Sequence, residues 1–156
     1  MRKALESPPF DPVLLREVVA QAIEAYFTME QGQSCDSLLK GLEELTGRTI
    51  HPFELHSAFS SIRPEAFAKQ LLTSETDFLS DLTPDEMLEL LNRVTHVRGD
   101  EYQLSYWIEC LKRSTGNPRI SDLIYWPGHY FGDGDETRDL SDQEILEIAL
   151  RDGHAV

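Results

Sequence analysis

Apolar side chains recur along this chain at helical spacing, and polar punctuation separates the runs. Met87, Leu90, Leu91 and Val94 stand at i, i+3, i+4 and i+7, one face of a helix. Thr83 caps that helix, Pro84 takes its first position and Glu86 completes a capping box. A second helix starts near Asp100, carries Leu104, Trp107, Ile108 and Leu111 at the same spacing, and stops at Gly116 and Pro118. A last helix opens at Ser141 with Glu144 as reciprocal cap. Leu140 and Ile145 sit where a hydrophobic staple forms, and Ile145, Ile148 and Ala149 face inward. In the first half, Asp11 caps and Pro12 opens a helix with Leu15, Val18, Val19, Ala22 and Tyr26 on its apolar face. A second helix runs from about Ser34 through Leu38, Leu39, Leu42 and Leu45 to Gly47. A short segment follows from Pro52 to Phe59, and Pro64 opens a helix with Phe67, Leu71 and Leu72. No period-2 alternation marks a strand, so the chain reads as all-α.

Both halves follow one order: long helix, helix, Thr-Gly stop, short segment, final helix. The string LKGLEELTGR (39–48) sets Leu42, Thr46 and Gly47 against Leu111, Thr115 and Gly116 of IECLKRSTGN (108–117). A diverged duplication gives such a pattern, and so does any pair of amphipathic helices that end in Gly. The polar stretch Thr73-Ser74-Glu75-Thr76-Asp77 is the candidate linker. It divides the chain into a helical N-terminal domain, 1–75, and a second domain, 76–156.

Charge sharpens this division. Residues 1–75 carry 7 basic and 11 acidic side chains, whereas 76–156 carry 7 and 17, so most of the net charge of −14 sits in the second half. That balance excludes nucleic acid as a partner, because no dense cationic surface is present to replace phosphate counterions. It favours a basic partner, through long-range steering. No apolar run approaches a membrane span, and the first residues lack the apolar stretch of a signal peptide, so the expected location is the cytoplasm. Cys35 and Cys110 are too few for a disulfide framework and read as small buried apolar residues.

Ser121 to Pro127 reads SDLIYWP, two aromatics, two aliphatics and an acid closed by proline. Residues 79–127, LSDLTPDEMLELLNRVTHVRGDEYQLSYWIECLKRSTGNPRISDLIYWP, resemble the immunity proteins of the colicin E and pyocin S nuclease bacteriocins. The shared features are the S-D-x-T start, the acidic D-E opening, a Pro four residues before Asp122, and the string itself, with Trp126 in place of a second Tyr. The resemblance implies a small four-helix bundle that binds and inhibits the nuclease domain of a toxin made by the same cell. It implies shared toxin contacts at Ser121, Asp122, Tyr125, Trp126 and Pro127. It implies a selective face on the second helix: Glu101, Leu104, Ser105, Ile108, Glu109 and Lys112. Tyr and Trp dominate binding hot spots, and Asp122 offers charge-assisted hydrogen bonds to a basic partner. The bland alternative makes Tyr125 and Trp126 core residues, with Leu123 and Ile124 the better core candidates in either case. Lys112 and Arg113, Asn117 (where His is usual), the longer loop GHYFGDGDETRD and the end LRDGHAV depart from the family, leaving DNase, RNase and other bacteriocin domains open as targets.

Other chemistry is thin. Asp133, Asp135, Thr137, Asp139 and Glu144 brush against a calcium loop, but Arg138 holds the position that needs Gly. His51, His56, His96, His129 and His154 form no metal motif, and no nucleophile or phosphate loop stands out. The expectation is an immunity protein without catalysis or cofactor. The alternatives are a two-domain helical adaptor whose function lies in residues 1–75, and an acidic metal-dependent enzyme. Nothing in the pattern sets an oligomeric state.

Overall fold

The computed structural model describes residues 2–135 and 137–153; His154 lies outside the described residues. Those residues form helices and connecting turns, with no strand among them. The chain divides into two compact units, one of Pro8–Ser74 and one of Glu75–Val156 together with the first seven residues. The division near residue 75 falls in the polar stretch. The segment Arg2–Ser7, which the sequence places in the N-terminal domain, packs instead in the C-terminal unit.

In the first unit, α1 (Pro12–Glu30) is capped by Asp11, whose carboxylate accepts from Val13 N at 2.9 Å and Leu14 N at 3.3 Å. Then follow α2 (Asp36–Thr46), α3 (Pro52–Phe59) and α4 (Pro64–Leu72), each of the last two opened by its proline. α1 packs against α2, α3 and α4. The core is Val18, Ala22 and Ala25 from α1, Leu39 and Leu42 from α2, Leu55 from α3, and Phe67, Ala68 and Leu71 from α4. Helix α2 starts two residues after Ser34, and Cys35 stands at its cap without a side-chain capping bond.

In the second unit, α5 (Pro84–Thr95) has the expected capping box: Glu86 N donates to Thr83 Oγ1 at 3.2 Å and Thr83 N donates to Glu86 Oε1 at 3.0 Å. Asp100 and Gln103 form a second box on α6 (Glu101–Thr115). Short helices α7 (Ile120–Tyr125) and α8 (Pro127–Phe131) follow, and α9 (Asp142–Gly153) closes the unit, with Ser141 and Glu144 capping reciprocally. α5 lies against α6 and α9, and α7 touches α6, α8 and α9. A Cβ at Gly153 has no room beside the Thr115 carbonyl, so glycine permits the end of α9 to meet the end of α6.

The buried stripe of α6 differs from the expected one. Trp107 and Leu111 are buried, but Leu104 and Ile108 are only half-buried, and the core places go to Tyr102, Tyr106 and Cys110. The reason lies across the chain. Phe78 stacks on Tyr106 with ring centroids 5.6 Å apart, Tyr106 OH donates to the Asp77 carbonyl at 3.0 Å, and Leu5 is fully buried. These partners come from segments remote in sequence, which helical periodicity does not see. On α9, Leu146 is buried beside Ile145 and Ala149, and Ile148 is half-exposed. Cys35 and Cys110 are free and buried, as expected.

Candidate functional site

The seven-residue string forms the corner between α7 and α8. Ile120 and Leu123, three apart, are fully buried and anchor α7. Ile124 is half-buried. That anchoring turns Ser121, Asp122 and Tyr125 outward. At Trp126 the backbone leaves the helical region (φ −138°, ψ 60°), and Pro127 starts α8. The result is an aromatic pair at the turn: Tyr125 is 47% and Trp126 68% exposed. The core alternative for these two side chains therefore fails. Burial nevertheless pushes the Tyr125 phenol up from its ordinary pKa.

The loop after α8 completes the surface. A Cβ at Gly128 would meet the Asp135 backbone nitrogen at 2.7 Å, so glycine lets that loop lie against α8. A cleft of about 540 Å³ opens there, lined by Tyr125, Trp126, Pro127, His129 and Asp135. Asp133 and Asp135 are used within the loop: Asp133 Oδ1 accepts from Asp135 N at 3.0 Å and pairs with Arg138 through its other oxygen, and Asp135 Oδ1 accepts from Thr137 N at 3.0 Å. The Thr137 bonds hold the Asp135 carboxyl below its ordinary pKa. Among the described residues no group of three His, Cys, Asp or Glu side chains is placed to hold a metal ion.

Sequence reasoning missed a brace beneath this corner. Arg119 sits with Nε 3.5 Å from Asp122 Oδ2, donates from Nη2 to the His129 carbonyl at 3.3 Å, and lays its guanidinium over the Tyr130 ring, 4.7 Å from the centroid. Tyr130 OH donates to Asp152 Oδ2 at 2.7 Å and accepts from Asn117 Nδ2 at 2.9 Å. Asn117 is buried. Arg151 and then Tyr130 hold the Asp152 carboxyl below its usual range, and burial raises the Tyr130 phenol. The brace ties α8 to α9 and to the α6–α7 turn. Its one sequence signal was Arg119 three residues before Asp122.

The second predicted group lies along α6. Glu101 and Ser105 are exposed, and Leu104, Ile108, Glu109 and Lys112 are half-buried, so all six share the face away from the buried stripe. Glu109 pairs with Arg113 at 3.0 Å and with Lys112 at 3.7 Å, so the two bases at this end of the helix neutralise one of its acids.

Aromatic side chains left in water beside a carboxylate, on a braced corner of an acidic helical unit, have the anatomy of a protein-contact surface. Residues 79–151 match the family model described as colicin immunity protein / pyocin immunity protein. The C-terminal half of the chain is thus similar to the bacteriocin immunity proteins, as the resemblance implied. No curated protein and no solved structure matches the chain. Among the described residues, no helix is long and apolar enough to cross a membrane.

Proposed function

We propose that this chain protects a bacteriocin-producing cell by binding and inhibiting the basic nuclease domain of its own toxin in the cytoplasm, with no cofactor and no chemistry of its own. The observation that carries this reading is the exposure of Tyr125 and Trp126 at a braced corner that also carries Asp122. Trp and Tyr offer a large contact area for few frozen rotors. Asp122 suits cationic or N–H donors of a DNA- or RNA-binding enzyme, which must itself be positive. The half-buried aliphatics of α6, Leu104 and Ile108, among Glu101, Ser105, Glu109 and Lys112, supply the selective face. A net charge of −14 accelerates encounter with such a partner and repels its nucleic acid.

The test is to mix the purified chain with a panel of bacteriocin nuclease domains, beginning with any toxin encoded beside its gene. Calorimetry and residual nuclease activity are read together. Tight binding with loss of activity is expected. Absence of binding, the genetic neighbour included, contradicts the reading.

A second reading, a two-domain helical adaptor whose function lies in residues 1–75, draws support from Phe27 and Phe53, which are 60% and 72% exposed on the N-terminal unit. A shared ancestry for the two units is also part of the proposal. In both, the hydroxyl of the last helical Thr donates to the carbonyl four residues back at 2.8 Å (Thr46 to Leu42, Thr115 to Leu111). The Gly that follows takes φ 70° in one and 71° in the other. The first unit lacks the aromatic string, holding FELHSAF (53–59) in its place.

A further inference from the structure

The chain leaves the C-terminal unit at its seventh residue and returns to it at Glu75, and both connecting segments fasten to α6. On the way out, Leu5 is fully buried and its carbonyl accepts the indole N–H of buried Trp107. Gln103 Nε2 donates to the Glu6 carbonyl at 3.3 Å. Arg2 forks onto Glu86, with Nε 2.8 Å from Oε2 and Nη2 2.9 Å from Oε1, and reaches Asp81 at 3.1 Å. On the way back, Arg113 donates to the Glu75 carbonyl at 3.2 Å and pairs with its carboxylate, and Asp77 accepts the Tyr106 hydroxyl. Leu79 N lies 3.4 Å from Cys110 Sγ, and Phe78 lies under the Arg113 guanidinium at 4.6 Å. Positions 103, 106, 107, 110 and 113 of α6 are thus engaged by these two segments.

We infer that the segments Arg2–Glu6 and Glu75–Leu79 position α6 for toxin recognition, with Leu5 and Arg113 as the positioning residues; the inference rests on the reading of α6 as the selective helix. Leu5 fixes the first half of the helix through Trp107, next to Leu104 and Ile108. Arg113 fixes the second half, because the guanidinium held by Glu75 also donates to Glu109 Oε1 at 3.0 Å, a residue of the selective face. A recognition face is useful only when its backbone is held in one place, since ordering it at the moment of binding costs affinity. The segment 2–6 lies outside the region that matches the family model.

The full chain is compared with Leu5→Ala, Leu5→Met and Glu75→Gln. Amide exchange of α6 and the Trp107 indole N–H resonance are read without toxin, the two indole signals being assigned with Trp126→Phe. Dissociation from the nuclease panel is read separately. In Leu5→Ala the Trp107 resonance shifts and α6 amides exchange at least about tenfold faster, since truncating a buried leucine costs more than the 1.4 kcal/mol that tenfold represents. The α9 amides of the same unit lose less protection than those of α6, which separates local loosening from unfolding of the unit, and Leu5→Met restores α6. Toxin dissociation quickens and discrimination across the panel narrows in step. Glu75→Gln, at an exposed pair that does not threaten the fold, weakens toxin binding about threefold. Unchanged α6 exchange in Leu5→Ala overturns the inference, as does a loosened α6 with undiminished discrimination. A wild-type chain that binds none of the panel overturns the toxin reading instead, and the exchange data then still decide whether Leu5 holds α6.

Discussion

Arg119, at the cap of α7, holds its Nε 3.5 Å from Asp122 Oδ2 in the first turn of the same helix. The carboxylate proposed to meet a basic toxin therefore already has a cation beside it. The pair is open to water, with side chains 49% and 34% exposed, so its own contribution to stability is small. Its effect falls on the approach of a partner. Arg119→Ala makes the surface more negative beside the aromatic pair. The association rate with a basic nuclease domain rises about two- to threefold at low salt and the gain fades at high salt. Stopped-flow association over a salt series measures this, and a rate that falls at every salt contradicts it.

Tyr125 and Trp126 are predicted to separate binding from folding. Their exposure means that truncation leaves few core contacts broken. Tyr125→Ala and Trp126→Ala shift the stability by less than about 1 kcal/mol, while each weakens toxin binding by about 2 kcal/mol or more. Leu123→Ala, from the buried side of the same short helix, costs about 2–5 kcal/mol of stability. Denaturant titration of the three variants beside calorimetry checks the contrast.

That contrast marks where the sequence stops being informative. The caps were legible because they are local: Thr83 with Glu86, Ser141 with Glu144, and Asp11 with Pro12 need only neighbours three residues away. Helix α8 was not, since Pro127–Phe131 carries no periodicity and read as loop. Nor was the buried stripe of α6. Aliphatic spacing nominated Leu104 and Ile108, but Tyr102 and Tyr106 took the core because Phe78 and Asp77 supply a stacking face and a carbonyl for the Tyr106 hydroxyl. The candidate site stood out as a string through its family resemblance, while the side chains that support it in the fold did not. Arg119, Tyr130 and Asp152 converge from three elements, and no local rule joins positions 119, 130 and 152.

Acid should loosen the hold of Arg2 in a defined window. Glu86 is drawn down from the ordinary 4.5 to about 2, first by the hydrogen bonds from Arg2 and then by the Thr83 backbone. A depressed folded-state carboxyl stabilises the fold above its unfolded value and loses that contribution as pH falls toward its folded value. Stability is therefore predicted to fall between about pH 4.5 and 2. In Arg2→Met the fall through this range is shallower, because Glu86 then titrates nearer its ordinary value. Urea midpoints measured at stepped pH decide it, and parallel curves for the two proteins would count against the Arg2–Glu86 assignment.

Cys110 is fully buried, and burial raises its thiol pKa, so little thiolate forms near neutrality. Alkylation of Cys110 by iodoacetamide is predicted to proceed only through opening of the fold, and to slow when a toxin is bound. Mass spectrometry of labelled peptides over time tests this, and rapid labelling of the folded chain would show that the Leu79 segment does not cover the thiol.

The most direct test of the central claim is a single titration. The wild-type chain and Trp126→Ala are each added to the nuclease domain encoded beside the gene while nucleic-acid cleavage is recorded. The account predicts stoichiometric inhibition by the wild-type chain and a much higher inhibitory concentration for Trp126→Ala, with both proteins equally folded. Equal inhibition by the two, or cleavage untouched by either, would contradict it.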